Sequence, residues 1–365
     1  MTQQDGNPSP HRPADVVLTG TVFWDLVMTG LPRIPGNGEE IRVQRMATAP
    51  GGVANLAIAS ARLGLRTALV TEMGRDMAGR FCWSTLEQEG VDLSASRIHE
   101  GWTTPVTVSM THDGDRRMVT HQTPPPAGPT TDDGLATVPS PRAALIDLDQ
   151  LHSADQTRSS GRLSDWVRHA HDAGTVVLAD IGFDETGRWD PAVLDGLRHC
   201  DLFTPNATEA MGFTRTATAR DAARALAARV PLVVVTDGLD GAWAVDSSAG
   251  TEIHAAAVPV PPDEVVDATG AGDVFDAALV WGTLAGWPLD RRLDLACLCS
   301  SLAVRGLTGS MGAPGWAEVG AWWRGVAGSA ADPDLADRFA FLDECELDAP
   351  PRLPAPTSIG WNLPA

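Results

Sequence analysis

Short apolar runs recur along this chain with helical patterns between them, and that alternation limits the fold more than any other feature. The runs are Val16-Val17-Leu18, which stops at Gly20, then Leu69-Val70, Ala143-Ala144-Leu145-Ile146, Val176-Val177-Leu178-Ala179 and Leu232-Val233-Val234-Val235. Unbroken apolar runs of this length are typical of strands buried on both faces. Interleaved with helices, they predict an α/β fold with a mostly parallel sheet covered on both sides. One intervening helix reads from Val53 to Leu63 and ends at Gly64, a suitable residue just past a helix end, and another, rich in Ala and Arg, reads from Ala219 to Arg229. Two stretches break the rhythm. Residues 21–48 are rich in Pro, Gly and charge, and residues 102–122 alternate as Val106, Val108, Met110, turn at Asp113-Gly114-Asp115 and return through Met118 and Thr120. The second reads as a β-hairpin, and both fit a small β layer standing off the main sheet. Thr123 to Thr131 reads as a Pro-rich linker back to the core.

With 365 residues and 43% hydrophobic content, the chain suits one large domain, or one domain with a subdomain. No internal repeat is visible. The tail from Ala331 is acidic and Pro-rich, and from Asp348 onward it reads as extended. A formal net charge of −20 and a pI near 4.7 lack the basic footprint of a nucleic-acid binder and disfavour an anionic membrane surface.

The chain contains no lysine. A P-loop enzyme needs the lysine of its glycine loop and a protein-kinase fold needs its strand lysine, so both designs are excluded. Phosphate chemistry here must rest on backbone N–H groups, arginine and metal. Tyrosine is also absent, whereas tryptophan numbers 12. The cysteines, Cys82, Cys200, Cys297, Cys299 and Cys345, are odd in number and match no disulfide frame or zinc spacing. They are expected to be reduced and mostly buried, in a cytoplasmic protein. Met1 to Asp15 is polar with no apolar signal core, and no apolar run approaches a membrane span.

The segment from Val265 to Phe275, Val-Val-Asp-Ala-Thr-Gly-Ala-Gly-Asp-Val-Phe, carries the densest chemical signal. An apolar lead-in enters a glycine-rich turn, and an apolar run from Val274 to Leu284 then reads as a buried helix. A turn of this kind leaves backbone N–H groups free at the positive end of a helix, where a phosphate binds well. Asp273 puts a carboxylate at the same place, as a candidate general base. The same residues also suit an ordinary strand–turn–helix corner with an acidic cap.

Four further groups stand out, each with a plainer alternative. Gly51-Gly52 opens the helix that carries Asn55, allowing a ligand close to the backbone; a flexible helix entry is the alternative. Asp25 lies just past the first strand's C-terminal end, where open α/β sheets bind ligands and where a carboxylate accepts hydrogen bonds from two vicinal hydroxyls; a turn aspartate is the alternative. Asn206 and Glu209 share a helix face near its start, which suits hydrated Mg²⁺ and equally an N-cap with an acidic first turn. The turn Thr236-Asp237-Gly238-Leu239-Asp240-Gly241 follows a strand and offers glycine backbone to a nucleotide, although no dinucleotide fingerprint of G-x-G-x-x-G form follows a strand.

Taken in order, these elements resemble the ribokinase-like, or PfkB, family of carbohydrate and nucleoside kinases over roughly residues 16–320. The first family signature matches Gly51-Gly52-Val53-Ala54-Asn55-Leu56-Ala57, with Ala61-Arg62-Leu63-Gly64 and Gly74-Arg75-Asp76-Met77-Ala78-Gly79 behind it. The Asn-x-x-Glu element matches Asn206 and Glu209, and the second signature matches Asp267 to Asp273. The resemblance implies a three-layer αβα sandwich with a small β-sheet lid: a polar arm over 1–15, a kinase domain over 16–325 with lid segments near 21–48 and 102–122, and an acidic extension over 326–365. It implies transfer of the ATP γ-phosphoryl group to a substrate hydroxyl, with Asp273 as base and Gly270, Ala271 and Gly272 as anion hole. It further assigns Mg²⁺ and its waters to Asn206 and Glu209, the nucleotide to Thr236, Gly238 and Gly241, and the sugar to Asp25, Gly51, Gly52 and Asn55. Asp267 and Thr269 occupy the positions of a monovalent-cation (K⁺) site that many members have, although the later loop Gly306 to Gly312 matches loosely. Lids in this family can pair, which implies a homodimer.

Phe23 departs from the ribokinase pattern, which has a small polar residue two before Asp25, and Pro35-Gly36-Asn37-Gly38-Glu39-Glu40 makes a longer lid turn than usual. These put plain ribose in doubt. Phe23 and Trp24 are the reason to keep a nucleoside kinase as an alternative, since both rings could stack on a base. A non-catalytic sugar- or nucleotide-binding regulator would be expected to lose Asp273 or the glycine turn, and both are present.

Overall fold

The computed structural model describes residues 14–112, 115–124, 130–156, 161–184, 186–327 and 332–347. The strands, in chain order, are β1 (Val16–Thr19), β2 (Val22–Thr29), β3 (Arg45–Gly52), β4 (Thr67–Val70), β5 (Glu72–Gly74), β6 (Arg97–His99), β7 (Val106–His112), β8 (Asp115–His121), β9 (Ala143–Asp147), β10 (Val176–Asp180), β11 (Leu202–Phe203), β12 (Leu232–Thr236), β13 (Ala242–Asp246) and β14 (Thr251–Ala255). Eight of them form one sheet in the order β14-β13-β12-β11-β10-β9-β1-β4. From β4 to β12 every pairing is parallel, and β13 and β14 add an antiparallel edge.

The apolar runs form strands because both faces of this sheet are covered. Val16 and Leu18 of β1 enter one core and Val17 enters the other. Leu232 and Val234 of β12 likewise oppose Val233 and Val235. The first core packs the helices Val53–Arg62, Ala271–Leu284 and Leu289–Ala303, and the second packs Gly161–Asp172 and Ala219–Leu226. β1 lies between β4 and β9, so the chain winds outward from it in both directions. That leaves a switch in strand order whose C-terminal edge is the natural place for a ligand.

A second sheet of four strands, β3-β2-β7-β8, forms the lid. β2 pairs antiparallel with β3 and parallel with β7, and β7 pairs antiparallel with β8. The chain passes from the main sheet to the lid within two residues, Gly20 and Thr21. The charged, Pro-rich segment thus contains a full strand, Val22–Thr29, and its partner extends to Gly52, beyond the expected limit at 48. The Asp113-Gly114 tip of the hairpin lies outside the described residues, as do 1–13 of the arm, 125–129 of the linker and the tail from 348.

Residues 332–347 are not merely appended. Phe339, Phe341 and Leu342 are buried in the same core as the Leu289–Ala303 helix, and Trp323 Nε1 donates to Asp343 Oδ1 at 2.7 Å. All five cysteines are free thiols, and only Cys345 is not fully buried. Among the described residues, no helix is long and apolar enough to cross a membrane.

Candidate active site

The glycine turn and its helix meet the sheet at the C-terminal ends of β10, β11 and β12. Gly270 caps the Ala271–Leu284 helix in the left-handed region (φ 72°), and no side chain caps that helix. Glycine is required there twice over, since a Cβ would also fall 2.7 Å from Gly309 Cα. Val274 N–H closes the first helical bond to Gly270 O at 3.0 Å, and Ala271 N–H turns back to Ala268 O at 3.3 Å. A Cβ on Gly272 would enter open space. The turn is therefore bare where it faces a cavity of about 390 Å³, within the size range of small-molecule sites.

Three of the groups singled out from sequence line this one cavity: Asn206 with Glu209, the turn residues Thr236, Gly238 and Gly241, and Gly270 through Asp273. Asn206 and Thr236 are neighbours across the strand ends through an isolated parallel bridge. Asn206 is the N-cap of the Ala207–Thr214 helix, and the pair forms a capping box. Asn206 Oδ1 accepts from Glu209 N–H at 3.0 Å, and Glu209 Oε2 accepts from Asn206 N–H at 2.9 Å. The structural role and the position at the cavity coexist. Gly241 is glycine for the fold's sake, since a Cβ there would meet Ala255 O at 2.0 Å, whereas at Gly238 it would meet nothing.

The residues expected to hold the sugar form a second group, joined to the first by one bond: Asn55 Nδ2 donates to Asp273 Oδ2 at 3.1 Å. Asn55 is only 4% exposed and its Oδ1 has no partner, leaving a buried acceptor beside the turn. Asp25 does not sit in a turn after the first strand; it lies inside lid strand β2, opposite Ala49 of β3. Gly51 and Gly52 lead directly into the helix, as expected, and also end β3, with Gly52 as N-cap at φ 60°. Their shape serves the neighbouring side chains. A Cβ on Gly51 would stand 1.8 Å from Asp25 Oδ2, and one on Gly52 would stand 2.6 Å from the Phe23 ring. Strand alternation puts Phe23 and Asp25 on one face and Trp24 on the other, where Trp24 packs against Phe81. Trp24 is therefore not placed to stack on a ligand next to Asp25.

Asp267 is buried and ties two loops together: its Oδ1 accepts from Thr269 N–H at 3.0 Å and Thr269 Oγ1 at 2.8 Å, and its Oδ2 accepts from Thr308 N–H at 3.2 Å. Thr308 Oγ1 is buried without a partner.

The electrostatics are those of carboxylates crowded into a desolvated cleft. Burial pushes Asp273 up to about 6, opposed by the Asn55 bond and by the Arg116 charge. Burial, reinforced by Asp273 and Asp267, pushes Asp25 up to about 7. Burial raises Glu209 to about 7 against its capping bonds to Asn206. Four further residues at this site went unseen in the sequence. Asp180 ends β10, and Asp276 follows Asp273 by one helical turn and accepts from Thr204 Oγ1 at 2.8 Å. Burial and mutual repulsion hold both carboxyls far toward the protonated form. Arg116, on lid strand β8, is the one basic side chain among the described residues that line the cavity. Asp276 left a trace, as the one acid in an otherwise apolar helical run. Arg116 left none, because only the folded lid brings it over the sheet.

The model of the pfkB family of carbohydrate kinases matches residues 14–312. The ribokinase of Bacillus subtilis (strain 168) is 27% identical over 316 residues, covering 84% of this chain and 98% of the relative. An ATP-dependent ribose-1-phosphate kinase of Halopiger xanaduensis is 29% identical over 307 residues, covering 82% of this chain and 94% of the relative. The solved structure of Arabidopsis thaliana ribokinase complexed with ribose and ATP superposes with a TM-score of 0.66 at 24% identity, covering 83% of this chain and 96% of that one.

Proposed function

The chain belongs to the pfkB family of carbohydrate kinases, and from that premise we propose that it moves the γ-phosphoryl group of ATP to a hydroxyl of a sugar, with Asp273 as the general base. The observation that carries this reading is the junction of three parts at one point. An uncapped helix start, a carboxylate held by Asn55 and a cavity at the strand ends meet at Gly270–Asp273.

The Asp273 carboxylate accepts the proton of the attacking hydroxyl, an oxygen–phosphorus bond forms to the γ-phosphorus, and the bond to the β-phosphate oxygen breaks, giving ADP and the sugar phosphate. An ordinary aspartate would be a weak base for an alcohol, and a pKa raised to about 6 moves it toward the working range. The N–H groups of Gly270 and Gly272, joined by that of Ala271 when it gives up its 3.3 Å contact with Ala268 O, stabilise charge on the transferring group with the helix behind them, as phosphoryl transfer requires. Arg116 adds positive charge from the lid to a site otherwise lined by Asp180, Glu209, Asp273 and Asp276. Thr236, Gly238 and Gly241 line the nucleotide side. Asp25, Gly51, Gly52 and Asn55 hold the sugar, with the unpaired Asn55 Oδ1 free to accept a substrate hydroxyl.

Asn206 and Glu209 would hold hydrated Mg²⁺, which supplies charge neutralisation between the phosphates when bound. Asp267 and Thr269, with the unpaired Thr308 Oγ1, offer oxygens to a monovalent cation such as K⁺. The lid exposes Met46, Met118 and Val119, which suits a homodimer through that sheet. The acidic net charge and free thiols favour a cytoplasmic protein that binds neither nucleic acid nor membrane. Phe23, on the Asp25 face, keeps a nucleoside acceptor as the second reading.

Product analysis with ATP–Mg²⁺ and a panel of sugars and nucleosides separates the two readings, and no turnover of any member would count against both. With the accepted substrate, Asp273→Asn is expected to lower kcat about 10²- to 10⁴-fold while ATP still binds; retained turnover would sink the base assignment.

A further inference from the structure

The loop that backs the glycine turn is fastened by a buried ion pair that takes no part in the cavity. Arg62, the last residue of the Val53–Arg62 helix, directs Nε and Nη2 to the two oxygens of Glu89 at 2.9 and 3.0 Å. Its remaining terminal nitrogen, Nη1, donates to Met311 O at 2.9 Å and to Ala313 O at 2.7 Å. The side chains are 10% and 3% exposed. A pair that served charge balance alone would not need the two carbonyls. The planar guanidinium fork gives them a fixed direction, which an ammonium cannot reproduce.

Those carbonyls end a short segment that touches the entry of the turn at Asp267, Thr269 and Gly270. Thr308 N–H reaches Asp267, and Ser310 Oγ donates to Pro50 O at 2.7 Å, just before Gly51. Gly309 lies against Gly270, and a Cβ on it would stand 2.8 Å from Thr269 O and 2.9 Å from Asn55 Oδ1. Thr308 is held at φ 73°, a conformation that a β-branched residue keeps only when its surroundings over-determine it. Asn55 and Arg62 are seven residues apart, two turns on one face of the same helix. One helix therefore carries the group that orients Asp273 and, at its other end, the group that clamps the loop behind Gly270.

We infer that Arg62, locked by Glu89, is a positioning residue for phosphoryl transfer: through the Met311 and Ala313 carbonyls it presses the 308–313 loop onto Gly270 and fixes the anion hole. This rests on the proposed kinase reading.

The test compares the wild-type protein, Arg62→Lys, and the double variant Arg62→Met with Glu89→Leu, which removes both buried charges together and so avoids leaving one unpaired. Each is measured for kcat and KM with the accepted sugar, for its thermal transition, and by calorimetry for ADP–Mg²⁺ with and without aluminium fluoride, a mimic of the transferring phosphoryl group. The double variant is expected to fold and to bind ADP as the wild type does. It should lose roughly a hundredfold in kcat, with the sugar KM little changed, and lose the tightening by aluminium fluoride. Arg62→Lys should show a smaller loss of the same kind. A folded double variant with wild-type kcat and wild-type tightening overturns the inference. Should the double variant not fold, an unchanged kcat in Arg62→Lys overturns it. A wild-type protein that binds no ADP and phosphorylates nothing overturns the kinase reading itself, a result distinct from either.

Discussion

Two helices begin at the same cavity and end their backbones in opposite ways. The Ala207–Thr214 helix closes on itself: Asn206 and Glu209 form a capping box that occupies the first free amides. The Ala271–Leu284 helix has no side-chain cap, and Gly272 opens onto empty space. Both carry an acid in the first turn, so composition alone does not distinguish them. The difference lies in which group each presents. The closed start offers side chains that suit a hydrated cation, whereas the open start offers amides that suit an anion. A cleft lined by four carboxylates admits a triphosphate only if such amides, an arginine and a cation are all close by.

Among changes that leave the Asp273 carboxylate in place, closing the open start should have the largest effect. Gly270→Ala forces a Cβ to within 2.7 Å of Gly309 Cα at a φ of 72°. The turn must shift, and a displacement near 1 Å is expected to cost roughly a hundredfold in kcat. Gly272→Ala points into open space and separates backbone shape from ligand room: the fold should be untouched, while ATP affinity falls. Thermal midpoints and ATP titrations of the two variants decide it, and equal loss of stability in both would show that the bare turn is structural only.

The closed start is split by a pair of substitutions. Asn206→Ala removes the cap, at a cost of about 1 kcal/mol of stability, and also removes the amide that the proposed cation site would use. Glu209→Gln keeps a residue able to complete the box but removes the charge. Both are expected to raise the Mg²⁺ concentration needed for half-maximal rate, by roughly ten- to a hundredfold. Only Asn206→Ala should unfold more readily. If Glu209→Gln leaves the Mg²⁺ dependence unchanged, the acid serves the helix and not the metal.

What could be read without coordinates follows the same division. The buried strands of the main sheet were legible because both of their faces are apolar, and the glycine turn because close backbone approach restricts residue choice. The lid strand Val22–Thr29 was legible only as part of a β layer over residues 21–48, since its Pro- and Gly-rich surroundings hide the strand limits; the two-residue strand Leu202–Phe203 is too short for any period; and the antiparallel edge from Ala242 to Ala255 carries polar residues such as Asp246 and Glu252. Asp25 falls inside the expected β layer, in strand β2, and not in the turn that was its plainer alternative. Trp24 was paired with Phe23 by adjacency, although alternation along a strand sends neighbours to opposite faces. Asp180 ends β10 and Thr204 follows β11, and both reach the cavity because the main sheet aligns those strand ends, whereas Arg116 comes from β8 of the separate lid sheet. Arg62 was visible as part of a signature, yet its partners lie 27 and about 250 positions away.

The smallest expected effect concerns a single proton at the open start, and it runs in opposite directions for activity and for the ligand-free fold. Asp273 has an ordinary value of 3.8 and is raised to about 6 in the folded chain. Between those values the folded state binds more protons than the unfolded one, so this group's contribution to stability is greatest at low pH and declines as pH rises from about 4 to about 6. A general base works only when ionised, so on the proposed reading kcat/KM should climb through the same interval, close to tenfold per pH unit on its acid side. Asp273→Asn abolishes the titration. The ligand-free variant should then melt about 2–4 °C above the wild type at pH 8, with the gap closing toward pH 4. Parallel melting profiles for the two proteins across that range would mean that the carboxylate is well solvated, and the proposed base would lack the burial that raises its pKa.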